Sequence, residues 1–245
     1  MKLFSYFFYM KAVVLAGGQG VRLRPLTDDV PKTMIQIGSK PFLQRILENL
    51  QKAGITEVLL IVGYKREAIE DFFKEEFNGM KLTYFVQQKS LGTAHAVSLV
   101  EGFVNENFLV LNADVLVEGG IFLELLQVDE FDPFDALIVS REVRDPWRYG
   151  CLLVEGKQVR DIIEKPSPGQ EPSKLVNAGV YRFNTHIFEA IKKTELSSRQ
   201  EFELIDSIKI LIKEGKKIGF RKCTGLCLDI GNKDGLHKAQ EFLVD

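Results

Sequence analysis

The sequence predicts an α/β fold with a Rossmann-like, mostly parallel sheet that carries helices on both faces. Three observations predict it. Short apolar runs of the kind found in strands buried on both faces recur along the chain. Amphipathic segments at helical spacing separate these runs, and such alternation is typical of right-handed units in a parallel sheet. Glycines and charged residues collect just after the runs, where ligand sites of such sheets lie.

The first half of the chain shows this alternation most clearly. The helix predicted over 41–54 places its apolar residues on one stripe, and Gly54 ends it. In full, this half is predicted to contain strands over 12–15, 58–62, 82–86 and 108–111, and helices over 41–54, 65–77 and 93–104. The last of these strands runs towards Asp114, which places a carboxylate at its carboxyl end.

The rhythm changes after Phe134, where short strands follow one another with turns between them. Strands are predicted over 136–139, 151–154, 159–163 and 176–183, and helices over 185–193, 202–213 and 233–244. Because no repeat or linker-like stretch separates the halves, residues 10–245 are predicted to form one domain. Residues 1–9 are interpreted as an N-terminal extension or a start assigned too early, with a membrane or partner anchor as the alternative. They are too short to span a bilayer.

Composition narrows the function. The chain has 245 residues, and its 32 Lys and Arg against 34 Asp and Glu give a net charge of −2. That balance argues against broad nucleic-acid binding, which needs a large cationic surface. Three cysteines are too few for a disulfide framework, so a reducing, cytoplasmic location is expected, with no membrane partner. Cys223 and Cys227 could share a metal ion, but no second pair of ligands lies near them in sequence.

A glycine-rich turn after the first strand is the strongest chemical signal. Its glycines let the backbone approach phosphate oxygens, and Arg22 and Lys32 add cationic donors for a polyphosphate. A plain strand-to-helix turn is the alternative. The dinucleotide-binding fingerprint does not fit, because Leu23 stands where it needs glycine and Pro25 interrupts the helix that should follow. A Walker loop needs Gly-Lys-Ser/Thr, which is absent from this turn.

The turn resembles the signature of the sugar-1-phosphate nucleotidylyltransferases, Gly-Gly-x-Gly-x-Arg-Leu-x-Pro-Leu-Thr followed by Pro-Lys. The resemblance extends from Met10 to the end through further motifs in the same order: Lys40-Pro41, Leu91-Gly92-Thr93-Ala94, Asp114, Tyr149-Gly150, Glu164-Lys165-Pro166, Asn177-Ala178-Gly179 and Asp229-Ile230-Gly231. It implies a fold of the nucleotide-diphospho-sugar transferase type. The chain is most similar to archaeal glucose-1-phosphate thymidylyl- or uridylyltransferases, of which longer members carry a C-terminal β-helix domain that has no counterpart in this sequence.

The resemblance assigns roles to residues on the nucleotide side. Its implied catalytic residues are Arg22, Lys32, Asp114 and Lys165, and its implied nucleotide-binding residues are Leu15, Gly17, Gly18, Gly20, Gln87 and Gly92. Gln87 would form hydrogen bonds with the edge of the base, and Gln88 is the alternative residue for this role. A Gln amide can donate and accept, which suits uracil or thymine. Asp114 and Asp229 would hold Mg²⁺ together with phosphate oxygens, although each Asp taken alone suits a turn or a helix cap.

The remaining matches imply a sugar pocket. Glu164 would bind sugar hydroxyls and Lys165 the sugar phosphate, with an exposed ion pair as the alternative. The rest of the implied pocket is Tyr149, Gly150, Asn177 and Gly179. Tyr149 could equally be a half-buried packing residue. The three histidines show no triad or metal spacing and are assigned to helix faces.

The expected function is therefore a Mg²⁺-dependent transferase that makes a nucleotide sugar from dTTP or UTP and glucose 1-phosphate. A mannose- or heptose-1-phosphate guanylyltransferase shares the early motifs and is the second enzyme reading. The third reading is a homologue that senses nucleotide sugars without turnover. It is motivated by four departures from the family pattern, namely Val21, Thr33, Ala113 and Cys227. None of the four removes a required charge. Whether the chain forms a homo-oligomer stays open.

Overall fold

The computed structural model describes residues 10–127 and 133–243. The predicted extension over 1–9 and the end of the predicted last helix lie outside these ranges. The strands are β1 (Ala12–Leu15), β2 (Gln36–Ile37), β3 (Lys40–Pro41), β4 (Glu57–Val62), β5 (Glu76–Phe77), β6 (Met80–Val86), β7 (Phe108–Asn112), β8 (Val115–Val117), β9 (Ala136–Glu142), β10 (Gly150–Glu155), β11 (Gln158–Glu164), β12 (Leu175–Phe183), β13 (Ile218–Lys222) and β14 (Cys227–Asp229). The helices are α1 (Phe42–Lys52), α2 (Glu67–Phe73), α3 (Thr93–Ser98), α4 (Gly120–Leu126), α5 (His186–Lys192), α6 (Leu204–Lys213) and α7 (Lys233–Phe242).

One ten-stranded sheet organises the chain, in the order β10-β11-β13-β9-β12-β7-β1-β4-β6-β5. The predicted parallel sheet is found in the first half, where β7, β1, β4 and β6 run side by side in parallel. The second half is largely antiparallel, although β13 pairs with β9 in parallel. The sheet is therefore mixed. In its second half a short turn joins β10 to β11, whereas helices α5 and α6 lie between β12 and β13 in the chain.

Helices cover both faces of this sheet, as the sequence predicts. Strand β1 shows why: Ala12 and Val14 pack on one side, whereas Val13 packs on the other. The first side is covered by α1, α2, α4 and α7, and the second by α3, α5 and α6. Strands β1, β4 and β7 are buried on both faces, which explains their continuous apolar runs, whereas β6 is partly exposed.

Two predicted helices are shorter than their sequence patterns suggest. The helix predicted over 65–77 ends at Phe73, since Lys74 adopts a left-handed φ of 56°. The chain then forms the β5–β6 hairpin, whose turn is Asn78-Gly79 with φ angles of 50° and 82°. That dipeptide favours such hairpins and was the available signal. The helix predicted over 93–104 ends at Ser98, and Glu101 then bridges to Val104.

Several elements carry no clear sequence pattern. Strands β2, β3, β8 and β13 and helix α4 are absent from the prediction, whereas a short strand is expected just before Ile230, where β14 lies. Strand β8 follows β7 after a two-residue turn and pairs with β14, which lies more than a hundred residues later. Three-residue strands of this kind are fixed by tertiary pairing, so local sequence does not announce them. In the described ranges, no helix is long and apolar enough to cross a bilayer.

Candidate active site

The glycine-rich turn lies at the carboxyl end of β1 and packs closely against its surroundings. Gly20 has a left-handed φ of 65°, and a Cβ there would lie 2.8 Å from the Cβ of Lys32. Its carbonyl accepts a hydrogen bond of 2.9 Å from the hydroxyl of Thr27. The positive φ and the close contact at the Cβ position both require glycine at position 20, and Gly20 thereby lets the turn pack against Lys32. A Cβ on Gly18 would meet nothing within 4 Å, which leaves its backbone open to a ligand.

A cavity of about 220 Å³ lies beside this turn. The predicted site residues that line it are Leu15, Gly17, Gly18, Lys32, Gln87, Gly92 and Asp114. These residues come from four separate stretches of sequence. The carboxyl ends of β1, β6 and β7 therefore meet at one edge of the sheet, as expected for an α/β fold.

Lys32 and Asp114 form the tightest charge pair of the cavity. The ammonium of Lys32 donates to the Oδ2 of Asp114 at 2.6 Å, and both side chains are largely shielded from solvent. Burial opposes ionisation of Asp114, but the charges of Lys32 and Arg22 outweigh it and hold its pKa below the usual range. Arg22 is exposed, on the single helical turn Val21–Leu23, and its charge reaches Asp114 from there.

Asp229 joins Asp114 through the β8–β14 pairing. Asp229 lies opposite Val115, and the N–H of Ile230 donates to the carbonyl of Asp114 at 2.9 Å. A Cβ placed on Gly231 would lie 2.8 Å from one oxygen of Asp229 and 3.6 Å from one of Asp114. Burial raises the pKa of Asp229, and the negative charge of Asp114 raises it further. The two carboxylates are therefore neighbours that repel each other.

This pair of acids fits a divalent cation. Mg²⁺ is commonly held by one or two protein carboxylates plus substrate phosphate oxygens, so two neighbouring aspartates are a sufficient donor set. No group of three candidate metal ligands occurs in the part of the chain that the structure describes. Cys223 and Cys227 are free thiols. A hydrogen bond between them lowers the pKa of Cys223 to about 7. They lack the further ligands that a structural metal needs.

Gln87 is held by two hydrogen bonds. Its amide nitrogen lies 3.0 Å from the carbonyl oxygen of Gly92 and 3.0 Å from Nδ1 of His95, on α3. Gln87 lines the cavity that holds Lys32 and Asp114, and Gln88 does not. Gln88 lines two neighbouring cavities, one of which it shares with Gln87 and Gly17.

Gly92 connects the two halves of the molecule. It has a φ of 102°, and a Cβ there would lie 2.7 Å from the backbone nitrogen of Phe202. That nitrogen donates to Leu91 at 2.8 Å, and the carbonyl of Phe202 accepts from Ala94 at 2.9 Å. Glu201, immediately before Phe202, lines the cavity and was missed from the sequence, where no motif marks it.

The implied sugar residues collect along β10 and β11. Gly150 lies opposite Glu164 in register, and the N–H of Lys165 donates to the carbonyl of Tyr149 at 3.0 Å. The ammonium of Lys165 lies 3.8 Å from Glu164. A Cβ on Gly150 would come within 2.9 Å of the Glu164 carboxylate, so glycine leaves that carboxylate its position.

Asn177 and Gly179 connect this region to the cavity. The amide of Asn177 donates to the hydroxyl of Tyr181 at 2.6 Å, and its oxygen accepts from the N–H of Gly179 at 2.9 Å. Gly179 has a φ of 74°, and a Cβ there would lie 2.6 Å from Nδ2 of Asn112, which lines the cavity. Burial, with the charges of Glu164 and Asp114, raises the pKa of Tyr181 to about 12. The negative charges of Glu164 and Asp114 thus both favour the neutral hydroxyl of Tyr181.

Arg141 is a residue that the sequence reading missed. Its guanidinium lies 3.6 Å from the carboxylate of Asp229 and 5.0 Å from the ring centre of Tyr149. The three residues line a second cavity of about 180 Å³. A single arginine inside β9 gives no motif, so only the β8–β14 pairing reveals it.

Nine of the sixteen implied residues line one of two cavities. Seven line the first cavity, whereas Tyr149 and Asp229 line the second. Glu164 and Lys165 are not among the described residues that line either of these two cavities. Both of these side chains are exposed.

Known proteins are similar to this chain in sequence and in fold. Residues 11–245 match the family described as nucleotidyl transferase. The bifunctional protein GlmU of Methanocaldococcus jannaschii is 38% identical over 237 residues, which cover 96% of this chain and 55% of GlmU. The chain spans about half the length of the GlmU relatives it matches. The UTP–glucose-1-phosphate uridylyltransferase AglF of Haloferax volcanii is 35% identical over 96% of this chain and 97% of its own.

Solved structures agree. A Bacillus anthracis protein described as a glucose-1-phosphate thymidylyltransferase superposes on this chain with a TM-score of 0.87. The two chains are 28% identical, and the match covers 96% of each. A UDP-glucose pyrophosphorylase bound to UDP-glucose gives 0.86 at 24% identity, over 95% of this chain and 97% of its own, which shows the shared fold alone. The family match covers nearly the whole sequence. The chain therefore belongs to the nucleotidyl transferase family.

Proposed function

We propose that the chain is a sugar-1-phosphate nucleotidylyltransferase, which joins UTP or dTTP to glucose 1-phosphate and releases pyrophosphate. The observation that carries the proposal is the meeting of Asp114 and Asp229 beside Lys32, at the edge of a cavity lined by the glycine-rich turn.

The names of two relatives support the substrate pair. AglF is named for UTP and glucose 1-phosphate and aligns over nearly its whole length. The Bacillus anthracis protein is named for glucose 1-phosphate and a thymidylyl group. The GlmU relatives extend well beyond this chain, so they support the transferase class more than a particular sugar.

The reaction needs positioning and charge neutralisation more than covalent chemistry. An oxygen of the sugar phosphate attacks the α-phosphorus, the bond from that phosphorus to the β-phosphate oxygen breaks, and pyrophosphate leaves with the electron pair. Lys32 and Arg22 are proposed to hold the triphosphate and to neutralise the charge that develops on pyrophosphate. The backbone N–H of Gly18 is proposed to donate to a phosphate oxygen, since no neighbouring atom lies within 4 Å of the position of its missing Cβ.

Asp114 and Asp229 are proposed to hold Mg²⁺, which when bound would neutralise phosphate charge and orient the phosphates. On the sugar side, Lys165 is proposed to bind the sugar phosphate and Glu164 the sugar hydroxyls. Tyr149, Gly150, Asn177 and Gly179 are proposed to complete that pocket. The free thiols support a reducing compartment, and we place the reaction in the cytoplasm.

The experiment is a matrix of nucleoside triphosphates against sugar 1-phosphates with Mg²⁺, read by mass detection of the product. A UDP- or dTDP-glucose product is expected. A GDP-sugar product would instead identify a guanylyltransferase, and binding without pyrophosphate release would identify a sensor. Near-normal pyrophosphate release by both Asp114→Asn and Lys32→Ala would overturn the assigned site.

A further inference from the structure

The amide of Gln87 can take only one orientation. Its nitrogen faces the carbonyl oxygen of Gly92 at 3.0 Å, and a carbonyl oxygen accepts but never donates. The NH₂ group must therefore lie on that side. Its second hydrogen meets Nδ1 of His95 at 3.0 Å, which makes Nδ1 the acceptor and leaves the imidazole proton on Nε2.

The amide oxygen is then left for the cavity. It lies 3.5 Å from the position of a Cβ on Gly17, a residue that lines the cavity with Gln87. Among the described residues, none donates a hydrogen bond to this oxygen, since both hydrogen bonds of the Gln87 side chain involve its nitrogen. Gln87 consequently offers an acceptor to a ligand, while both of its donors are engaged behind it.

We propose that His95 is a positioning residue that keeps the Gln87 oxygen turned towards the cavity, so that the site selects bases whose pairing-edge ring nitrogen carries a hydrogen. Uracil and thymine at N3, and guanine at N1, meet this condition. Cytosine and adenine place a lone pair there and face the oxygen with repulsion. The inference rests on the proposed nucleotide site, but it concerns binding and needs no turnover.

The test compares nucleotides of equal size by calorimetry on the full chain, UTP against CTP and GTP against ATP. For the better-bound size class, we expect the wild-type protein to favour the first member by at least about tenfold. His95→Leu removes one acceptor from Gln87 and should reduce that ratio by about three- to tenfold. His95→Asn, whose Oδ1 can replace Nδ1, should restore it.

His95→Lys gives the sharpest contrast, because it sets a permanent donor against the Gln87 NH₂ group and should bring the ratio close to one. His237→Leu is the control, since His237 lies exposed on α7 and pairs with Glu241 at 3.2 Å. It should leave the ratio unchanged. Thermal unfolding identifies any variant that does not fold, and the Asn and Lys variants carry the comparison if Leu is lost.

An unchanged ratio in folded His95→Lys, or a wild-type preference for CTP or ATP, would overturn the inference. A chain that selects UTP through His95 but releases no pyrophosphate would leave the inference standing and overturn the proposed function. A chain that makes the nucleotide sugar with a ratio indifferent to His95 would do the reverse.

Discussion

The two halves of the sheet build their parts of the site by different means. In the parallel half, Lys32, Gln87 and Asp114 come from loops that follow β1, β6 and β7. In the largely antiparallel half, Gly150 and Glu164 come from paired strand ends, and Asn177 and Gly179 from an irregular stretch of β12. Parallel strands deliver loops to one edge automatically, whereas antiparallel strands need register and bulges to aim a residue there. The parallel half, completed by Asp229 of β14, should therefore govern the chemistry, and the antiparallel half the binding of the sugar phosphate.

Replacing Lys32 should reduce catalytic activity more than any other change proposed here. A small effect would contradict the assignment of the chemistry to the parallel half. Lys32→Ala deletes a shielded cation and leaves Asp114 unpaired. We expect kcat/KM for pyrophosphate release to fall by about 10²- to 10³-fold, as when one stabilising donor is lost from an active site. Lys81→Ala, at an exposed lysine 3.8 Å from Glu57, should change little. Equal activities of Lys32→Ala and Lys81→Ala would show that Lys32 has no part in the reaction.

Gly92→Ala tests the connection between the halves. The added Cβ would strike the backbone of Phe202 at a φ of 102°, so we expect about 2–4 kcal/mol less stability in denaturant unfolding. Gly79→Ala is the matched control, because its φ is 82° but nothing lies within 4 Å of the added atom. It should cost only about 1 kcal/mol. Similar losses in both would mean that strain alone matters and that the contact to Phe202 does not.

Lys165→Ala should separate the two substrates. Its ammonium is half exposed and lies beside Glu164, so its loss should raise KM for the sugar 1-phosphate by about tenfold or more. KM for the nucleoside triphosphate should stay nearly constant, as measured by initial rates with each substrate varied. A rise in both constants would show that the sugar half also places the nucleotide.

The two aspartates, one from each half of the sequence, should affect the free energy of unfolding in opposite directions when no metal ion is bound. The lowered pKa of Asp114 means that its carboxylate stabilises the fold above pH ~4, and that this contribution is lost as pH falls through the lowered value. The raised pKa of Asp229 means the opposite, because its ionisation costs stability that is regained on acidification. At pH 7 in EDTA, Asp114→Asn should destabilise by about 1–3 kcal/mol, and Asp229→Asn should stabilise by up to about 1 kcal/mol. Thermal unfolding at several pH values would contradict this assignment if both changes had the same sign.

Sequence reasoning predicted the long buried strands of the parallel half, but it missed several short strands there and made two helices too long. Buried strands such as β4 and β7 show continuous apolar runs, and the glycine-rich turn announces itself by composition. The Asn78-Gly79 turn was an available signal for the β5–β6 hairpin, but β5 was included in the helix predicted over 65–77, while β6 was predicted as a strand over 82–86. Arg141 and Glu201 could not be found, because their relation to the site depends on β14 and on the backbone contact at Gly92.

The late pairing of β14 with β8 has a consequence for synthesis. Asp114 is translated in the first half of the chain, but the partner acid leaves the ribosome only after more than a hundred further residues. During that interval a nascent chain can already possess its parallel strands, while the lone carboxylate has only Lys32 beside it. The complete pair of acids, and any cation it holds, is therefore a property of the finished polypeptide.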